Sequence, residues 1–236
     1  MLSSDKSQII VLHLTKYGDS GIIVHCIDSV SGRSGLLVRG IGKGRNNSAM
    51  AMFQPLNILE IVSNASPKSQ LRYLKEYQSA YRLDNIKNDI YKRTIALFIS
   101  EVLYRGLHDN VGDEKLFNWI ATSVRMLNEV QGSASNFHLW WLVGFCNILG
   151  FKPLIQPRAG LYSVPENETT GLYVFGRNEL PLLQNFLELP FEEAMAMPMS
   201  GSTRSAFAES LLRYLSFHLE SEISCKSLQV LHDVMR

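Results

Sequence analysis

The spacing of apolar residues changes near residue 80, and this change constrains the fold more than any other feature of the sequence. Before it, β-branched and other apolar residues form short runs separated by turn-forming residues, which is typical of strands. These runs predict five strands, over residues 8–14, 21–27, 36–39, 54–62 and 71–77. After it, apolar residues recur at helical spacing, so an all-β part precedes an all-α part.

The β part is short enough to form one small barrel. Five strands within about 75 residues, with a glycine-rich turn among them, suit a five-stranded barrel of the OB-fold type. We therefore expect an α+β protein, β first and then α. Residues 1–80 would form the barrel domain, and residues 81–236 would form an α-helical bundle domain.

Helical spacing predicts the elements of the second part. One amphipathic helix is expected over residues 85–105 and another from about 112 to 130. A third, over 136–149, is apolar almost all round, which places it at the centre of the bundle. Residues 154–176 read as a loop or weak hairpin. Further helices are expected over residues 178–196, 200–220 and 227–235.

Positive charge is concentrated in the first part of the chain. Residues 1–93 hold 13 Lys and Arg against 7 Asp and Glu, whereas residues 94–236 hold 10 against 15. The net charges are thus +6 and −5, a polarity that indicates an N-terminal part meeting a polyanion. Basic residues merely scattered over a solvated surface remain the alternative.

Nothing in the sequence indicates export or a membrane. The N-terminus has no secretory leader pattern, and the longest apolar run, residues 137–151, is shorter than the roughly 20 residues that span a bilayer. Cys26, Cys146 and Cys225 are far apart and form no CxxC pair. Three buried thiols in a reducing compartment are expected, so we predict a cytoplasmic protein without disulfides.

The glycine-rich segment GLLVRGIGKGR, residues 35–45, does not match a nucleotide-binding loop. In the P-loop spacing, Ile41 stands where lysine is required. The glycines at 40, 42 and 44 follow GxGxG rather than the dinucleotide pattern GxGxxG. Residues 46–48 read as more loop, so no helix is expected to follow.

No other catalytic constellation is present in the sequence. The histidines form no HExxH motif and no close pair, and no GxSxG motif occurs. His138 is expected to be a core residue. Residues 200–204 could hold an anion, but Ser202 or Thr203 as an ordinary helix N-cap is favoured. We therefore expect neither an enzyme nor a cofactor or metal site.

The basic residues of the β part are the more informative candidates. Lys16 and Arg33 flank turns, and Arg39, Lys43 and Arg45 crowd the glycine-rich segment. A barrel that binds single strands needs such a basic groove, together with aromatic side chains on which bases stack. Further basic residues (Lys68, Arg72, Lys75) and three aromatic candidates that could equally be core residues (Tyr17, Phe53, Tyr73) lie in the same part.

The order of several motifs resembles that of the bacterial recombination mediators of the RecO family, over nearly the whole chain. Each motif alone is weak, and it is their order that carries the resemblance. The motifs are IVL at 10–12, YGDS at 17–20, IIV at 22–24, GRSGLLVRG at 32–40, LGFKP at 149–153, RYLSFH at 213–218 and KSLQVL at 226–231.

The resemblance implies an OB domain joined to a helical domain, without nucleotide hydrolysis. It implies binding of single- and double-stranded DNA and annealing of complementary strands. It also implies cooperation with RecR in loading RecA onto DNA coated by single-strand-binding protein, whose acidic tail would be a further partner. The matching segments place DNA contacts at Lys16, Arg33, Arg39, Lys43 and Arg45.

One segment departs from the family pattern. Many members place four cysteines, as a zinc module, after the Gly-x-x-Pro motif. Residues 154–176 contain neither Cys nor His, so we predict a zinc-free, cysteine-free loop. Its packing is expected to involve Leu161, Tyr162, Tyr173 and Phe175.

Two questions stay open at the level of sequence. An acidic, Phe-ended tail needs an apolar pocket with a basic rim, and Arg105, Arg125 or Arg213 could supply that rim. The alternative function is a non-catalytic adaptor whose barrel binds a protein rather than DNA.

Overall fold

Five strands close into a barrel in the first part of the chain. A computed structural model describes residues 4–40, 47–64, 71–108, 112–153, 156–158, 161–163, 175–176 and 178–235. The barrel strands are β1 (Ser4–Tyr17), β2 (Gly21–Asp28), β3 (Gly32–Arg39), β4 (Ile58–Asn64) and β5 (Arg72–Ser79). Their order around the barrel is β1-β2-β3-β5-β4, which confirms the predicted five-stranded OB-type architecture.

β1 is a long strand that pairs with two different neighbours in the barrel. Its first half pairs with β4 and its second half with β2, both antiparallel, and the register shifts between Val11 and His13. Such an irregularity bends a strand, which lets one strand serve two sides of a small barrel. β3 and β5 close the barrel through a short parallel pairing, Leu36 with Arg72 and Leu37 with Tyr73.

A short helix between β3 and β4 was not predicted. α1 (Asn47–Met52) lies where residues 46–48 were read as loop, so that interpretation is wrong from Asn47 onward. The tertiary reason is that Ala49, Met50 and Met52 pack against the barrel core. Phe53 follows as a fully buried core residue, so it is not a platform for bases.

Eight helices form the described α part. They are α2 (Asp84–Asn88), α3 (Ile90–Gly106), α4 (Glu114–Glu129), α5 (Phe137–Ile148), α6 (Leu180–Glu188), α7 (Phe191–Ala196), α8 (Gly201–His218) and α9 (Lys226–Val234). The helix predicted over 85–105 is broken at Asp89, whose side chain accepts hydrogen bonds from the backbone N–H groups of Tyr91 and Lys92. Ser200, rather than Ser202 or Thr203, caps α8 by accepting from the Thr203 N–H.

α5 lies at the centre of the helices, as its apolar surface predicted. Phe137, Trp141 and Phe145 are fully buried, and His138 is likewise a core residue. The Trp141 indole N–H donates to the Ser123 hydroxyl of α4 at 2.9 Å, which satisfies its one polar group.

The loop after α5 is described only in part. β6 (Gln156–Arg158) and β7 (Leu161–Ser163) pair antiparallel, which agrees with the weak hairpin read from the sequence. Phe175 is buried, whereas Tyr173 and the side chains of Leu161 and Tyr162 lie outside the described residues. In the described ranges no group of side chains is suited to hold a metal, and no helix could span a bilayer. The domain limits at residue 80 and the absence of zinc remain predictions.

Candidate nucleic-acid interface

The outer surface of β1, β2 and β3 carries two of the five residues of the predicted site, Arg33 and Arg39. Val24, Leu36 and Val38 point into the barrel core, so the residues that alternate with them point outward. Paired residues form rows across these strands, which define what we name the outer β1–β3 face. The rows are His13–His25–Gly35, Thr15–Ile23–Leu37 and Tyr17–Gly21–Arg39.

One end of this face combines positive charge with exposed aromatic rings. The Arg39 guanidinium lies 5.3 Å from the centre of the Tyr73 ring, in cation–π contact. Tyr17 and Tyr73 are 48% and 39% exposed, so both rings are open to solvent. Because neighbouring strands lie about 4.8 Å apart, the backbones of Tyr17 and Arg39 are separated by about 10 Å. We name Tyr17, Arg39 and Tyr73 the arginine–tyrosine end.

Gly21 keeps the surface between Tyr17 and Arg39 flat. A Cβ atom at this position would lie 2.8 Å from the Tyr17 carbonyl oxygen, so no larger residue fits without backbone movement. Lys16 is exposed at the same end of the barrel, on the opposite face of β1. This arrangement offers flat rings for base stacking and cations for the phosphate backbone, which are the two requirements of single-strand binding.

Arg33 lies at the other end of β3 and is not brought together with Lys16 and Arg39. Six residues of extended chain separate Arg33 from Arg39, or about 20 Å. Its guanidinium stacks over the ring of Tyr104 on α3, with Cζ 4.5 Å from the ring centre. Burial lowers the pKa of Arg33, a change that its contact with Tyr104 opposes. Arg33 thus lies at the junction of barrel and helices.

The remaining predicted cations have different positions. Lys43 and Arg45 lie outside the described residues. Arg72 donates to the carboxylate of Asp28 at 2.8 Å, and this carboxylate also accepts from the Ser7 hydroxyl and the Val30 and Ser31 N–H groups. Because Asp28 is fully buried and neutralises Arg72, the pair ties β5 to the end of β2 rather than offering free charge.

Two histidines of the outer face were missed at the level of sequence, where no close pair was expected. The rings of His13 and His25 are 6.0 Å apart, and the Thr15 hydroxyl lies 3.0 Å from His25 Nε2. Burial, followed by the charges of Arg33 and His13, lowers the pKa of His25. The signal lay in the hairpin, since His13 and His25 are each six residues from Asp19 at its turn.

Comparisons with known proteins agree with this architecture. The family model described as "Recombination protein O N terminal" matches residues 1–81, and the one described as "Recombination protein O C terminal" matches residues 87–228. A protein of Flavobacterium psychrophilum named DNA repair protein RecO is 30% identical over 238 residues, covering 97% of this chain and 98% of its own. A protein of the same name from Porphyromonas gingivalis is 31% identical over 224 residues, covering 90% and 91%.

Proposed function

Because the chain belongs to the RecO family of DNA repair proteins, we propose that it is a DNA-binding recombination mediator. It binds single- and double-stranded DNA, anneals complementary strands and, with RecR, helps load RecA onto DNA coated by single-strand-binding protein. The observation that carries DNA binding is the arginine–tyrosine end. Its exposed rings and cation lie on one face of an OB-type barrel in the basic part of the chain.

The proposed role is non-catalytic and cytoplasmic. Binding and annealing need neither a nucleophile nor a hydrolysed nucleotide, and the glycine-rich segment has the wrong spacing for a phosphate loop. Burial raises the pKa of Cys146 and of Cys225 to about 12 each, so neither thiol is suited to nucleophilic attack. The segment over residues 154–176 is proposed to work without zinc.

Binding of a fluorescently labelled single-stranded oligonucleotide, measured by anisotropy over a range of salt concentrations, tests the proposal. Phosphate contacts make log K fall with log salt, with a slope of about 0.7 per phosphate on single strands. The Lys16→Ala/Arg39→Ala variant is expected to bind more weakly and to lower the slope by roughly 1.4. An Arg39→Ala/Lys43→Ala/Arg45→Ala variant extends the test to the glycine-rich segment.

Matched variants show whether a loss of binding comes from the stacking ring, from the position of the removed charge, or only from the change in net charge. Tyr73→Ala is expected to lose about 1–3 kcal/mol of binding free energy, whereas Tyr73→Phe keeps the ring and most of the affinity. Lys152→Ala removes an exposed cation from the helical part and should leave the slope unchanged. Unchanged binding and slope in the barrel variants would contradict the proposed interface.

The adaptor alternative is separated by strand annealing. Two complementary labelled oligonucleotides anneal spontaneously at a measurable rate, and a mediator increases that rate. An adaptor whose barrel binds a protein leaves the spontaneous rate unaltered and does not bind DNA even at low salt. The Arg39–Tyr73 contact favours the mediator.

RecR and the acidic tail of single-strand-binding protein are proposed as protein partners. Of the three candidate arginines, Arg125 stacks on Tyr81 at 4.8 Å and Arg213 donates to the Ser210 hydroxyl. Arg105, which also pairs with Glu101, lines a groove of about 580 Å³ between β1, α3 and α9, together with Lys226 and the exposed apolar Leu97 and Val230. An apolar floor with a basic rim suits an acidic, Phe-ended peptide.

The groove proposal is tested with Leu97→Glu, which places an acid on the apolar floor. This variant is expected to lose binding of a synthetic acidic, Phe-ended peptide. Leu97→Met is the matched control, since it keeps the apolar surface. If Leu97→Glu binds the peptide like the wild type, the tail lies elsewhere.

A further inference from the structure

Four side chains with cationic or hydrogen-bonding groups converge where the barrel meets α3. The ring of Tyr104 lies 4.7 Å from that of His13 and 5.3 Å from that of His25. Arg33 covers the same tyrosine, with its Cζ 4.5 Å from the ring centre. We name His13, His25, Arg33 and Tyr104 the junction cluster.

Within the part of the chain that the structure describes, no carboxylate forms an ion pair with the junction cluster. Among the described residues the two ion pairs are Arg72–Asp28 and Arg105–Glu101, and neither includes Arg33. The buried Nη1 of Arg33 has no hydrogen-bond partner among the residues that the structure describes. A partly buried cation without a counter-ion is unfavourable, and a bound anion would remove that penalty.

The charged groups on neighbouring elements do not neutralise the positive charge of the junction cluster. Glu101, on the same helix as Tyr104, accepts from Arg105 and from the Ser227 hydroxyl and N–H. Burial alone would raise the pKa of Glu101, but these hydrogen bonds outweigh it and lower that pKa. Lys226 lies across the groove and adds positive charge. Cys26 supplies no negative charge to Arg33, because burial raises the pKa of its thiol.

We propose that the junction cluster is a second phosphate-binding subsite, which takes a backbone phosphate of the same single strand whose bases stack at the arginine–tyrosine end. The inference rests on the proposed DNA binding and extends it along the outer β1–β3 face. The two ends of β3 are about 20 Å apart, or about six nucleotides at 3.4 Å each in a stacked strand. That length lies within the roughly 4–16 nucleotides that one OB fold covers.

His25 couples this subsite to pH. Burial, followed by the charge of Arg33, lowers the pKa of His25 when no anion is present. A phosphate beside His25 favours the imidazolium and so raises that pKa on binding. DNA binding therefore takes up protons, and affinity rises as pH falls through the histidine range of about 5 to 8.

The experiment compares the wild type with a His13→Gln/His25→Gln variant, using a labelled single-stranded oligonucleotide at constant ionic strength from about pH 5 to 8. Glutamine keeps hydrogen-bonding capacity and removes the titration. The wild type is expected to bind about fivefold more tightly at the acidic end, and the double variant is expected to lose most of that gain. His13→Gln alone changes an exposed residue, so it tests the subsite even if the double variant does not fold.

His108→Gln is the matched control, because His108 is exposed and hydrogen-bonds Ser221 in the helical part. It should keep the wild-type pH dependence. The phosphate subsite is contradicted if wild-type binding does not depend on pH, or if the double variant shows the same pH dependence. Neither result contradicts DNA binding at the arginine–tyrosine end. Absence of DNA binding at every pH overturns both proposals.

Discussion

Three arginines of the barrel carry the same charge but differ in what surrounds them. Among the described residues, Arg72 is neutralised by the buried Asp28, Arg33 stacks on Tyr104 with no carboxylate paired to it, and Arg39 lies exposed against Tyr73. A count of basic residues treats these side chains alike. Only the last two are suited to meet a phosphate, because a cation already paired in a buried site has little to gain from a second anion.

At the residue scale, His138 makes stability depend on pH. Burial, together with the effects of Arg204 and His232, lowers its pKa from 6.5 to about 3. Between these values the unfolded chain binds a proton that the folded chain does not, so the free energy of unfolding decreases as pH falls from about 6.5 toward 3. Relative to His138→Leu, the wild type should lose up to about 1.4 kcal/mol more per pH unit.

Urea titrations of both proteins at several pH values measure this difference. His108→Gln serves as the control, since it removes an exposed histidine and leaves the buried His138 in place. Parallel stability curves for wild type and His138→Leu across the window would show that His138 is charged in the folded protein.

At the element scale, α4 and α5 approach closely at one glycine. A Cβ atom on Gly144 would lie 2.8 Å from Cζ2 of Trp119, whose ring also contacts Trp141 and Phe145. The sequence placed α5 at the centre of the bundle from its apolar surface. The sequence did not indicate that the missing side chain at Gly144 leaves room for the Trp119 ring of α4, because this contact joins residues that are far apart in the chain.

The Gly144→Ala substitution therefore tests whether the cost of overpacking the core exceeds the gain in helix propensity. Alanine favours a helix interior by about 1 kcal/mol over glycine, whereas overpacking a core costs about 1–3 kcal/mol. We expect a net loss of roughly 1 kcal/mol in the free energy of unfolding, measured by urea denaturation. In a Trp119→Leu background the ring is gone, and the same substitution should become stabilising; a gain in the wild-type background would refute the close contact.

At the scale of the whole molecule, the barrel and the helices share a hydrophobic core. Barrel residues belong to the same buried cluster as α5 and α8, whereas a second, smaller cluster fills the barrel interior. The shared barrel residues are Ile10, Leu12, Ile27, Leu56 and Ile58. A barrel separated from the helices would expose this apolar surface to water.

The full chain is accordingly expected to unfold in one cooperative transition. Near-ultraviolet circular dichroism reports the tryptophans of the helices, of which Trp141 is fully buried, and far-ultraviolet signals report all secondary structure, so the two melting curves should coincide. Ile27→Asp, at the shared surface, should lower both midpoints together. Two separated transitions would show that the barrel and the helices unfold independently.

The sequence alone determined the order of the architecture and the family, because strand and helix periodicities are local properties of the chain. It predicted the five strands, the central helix and the exposed Arg39. It left open whether Phe53 is a core residue, and it missed helix α1, the break at Asp89 and the pairing of His13 with His25. Each of these depends on contacts between residues distant in the chain, and only the tertiary structure decided them. The same holds for the site: charge was visible in the sequence, but burial and counter-ions separate Arg33 and Arg39 from Arg72.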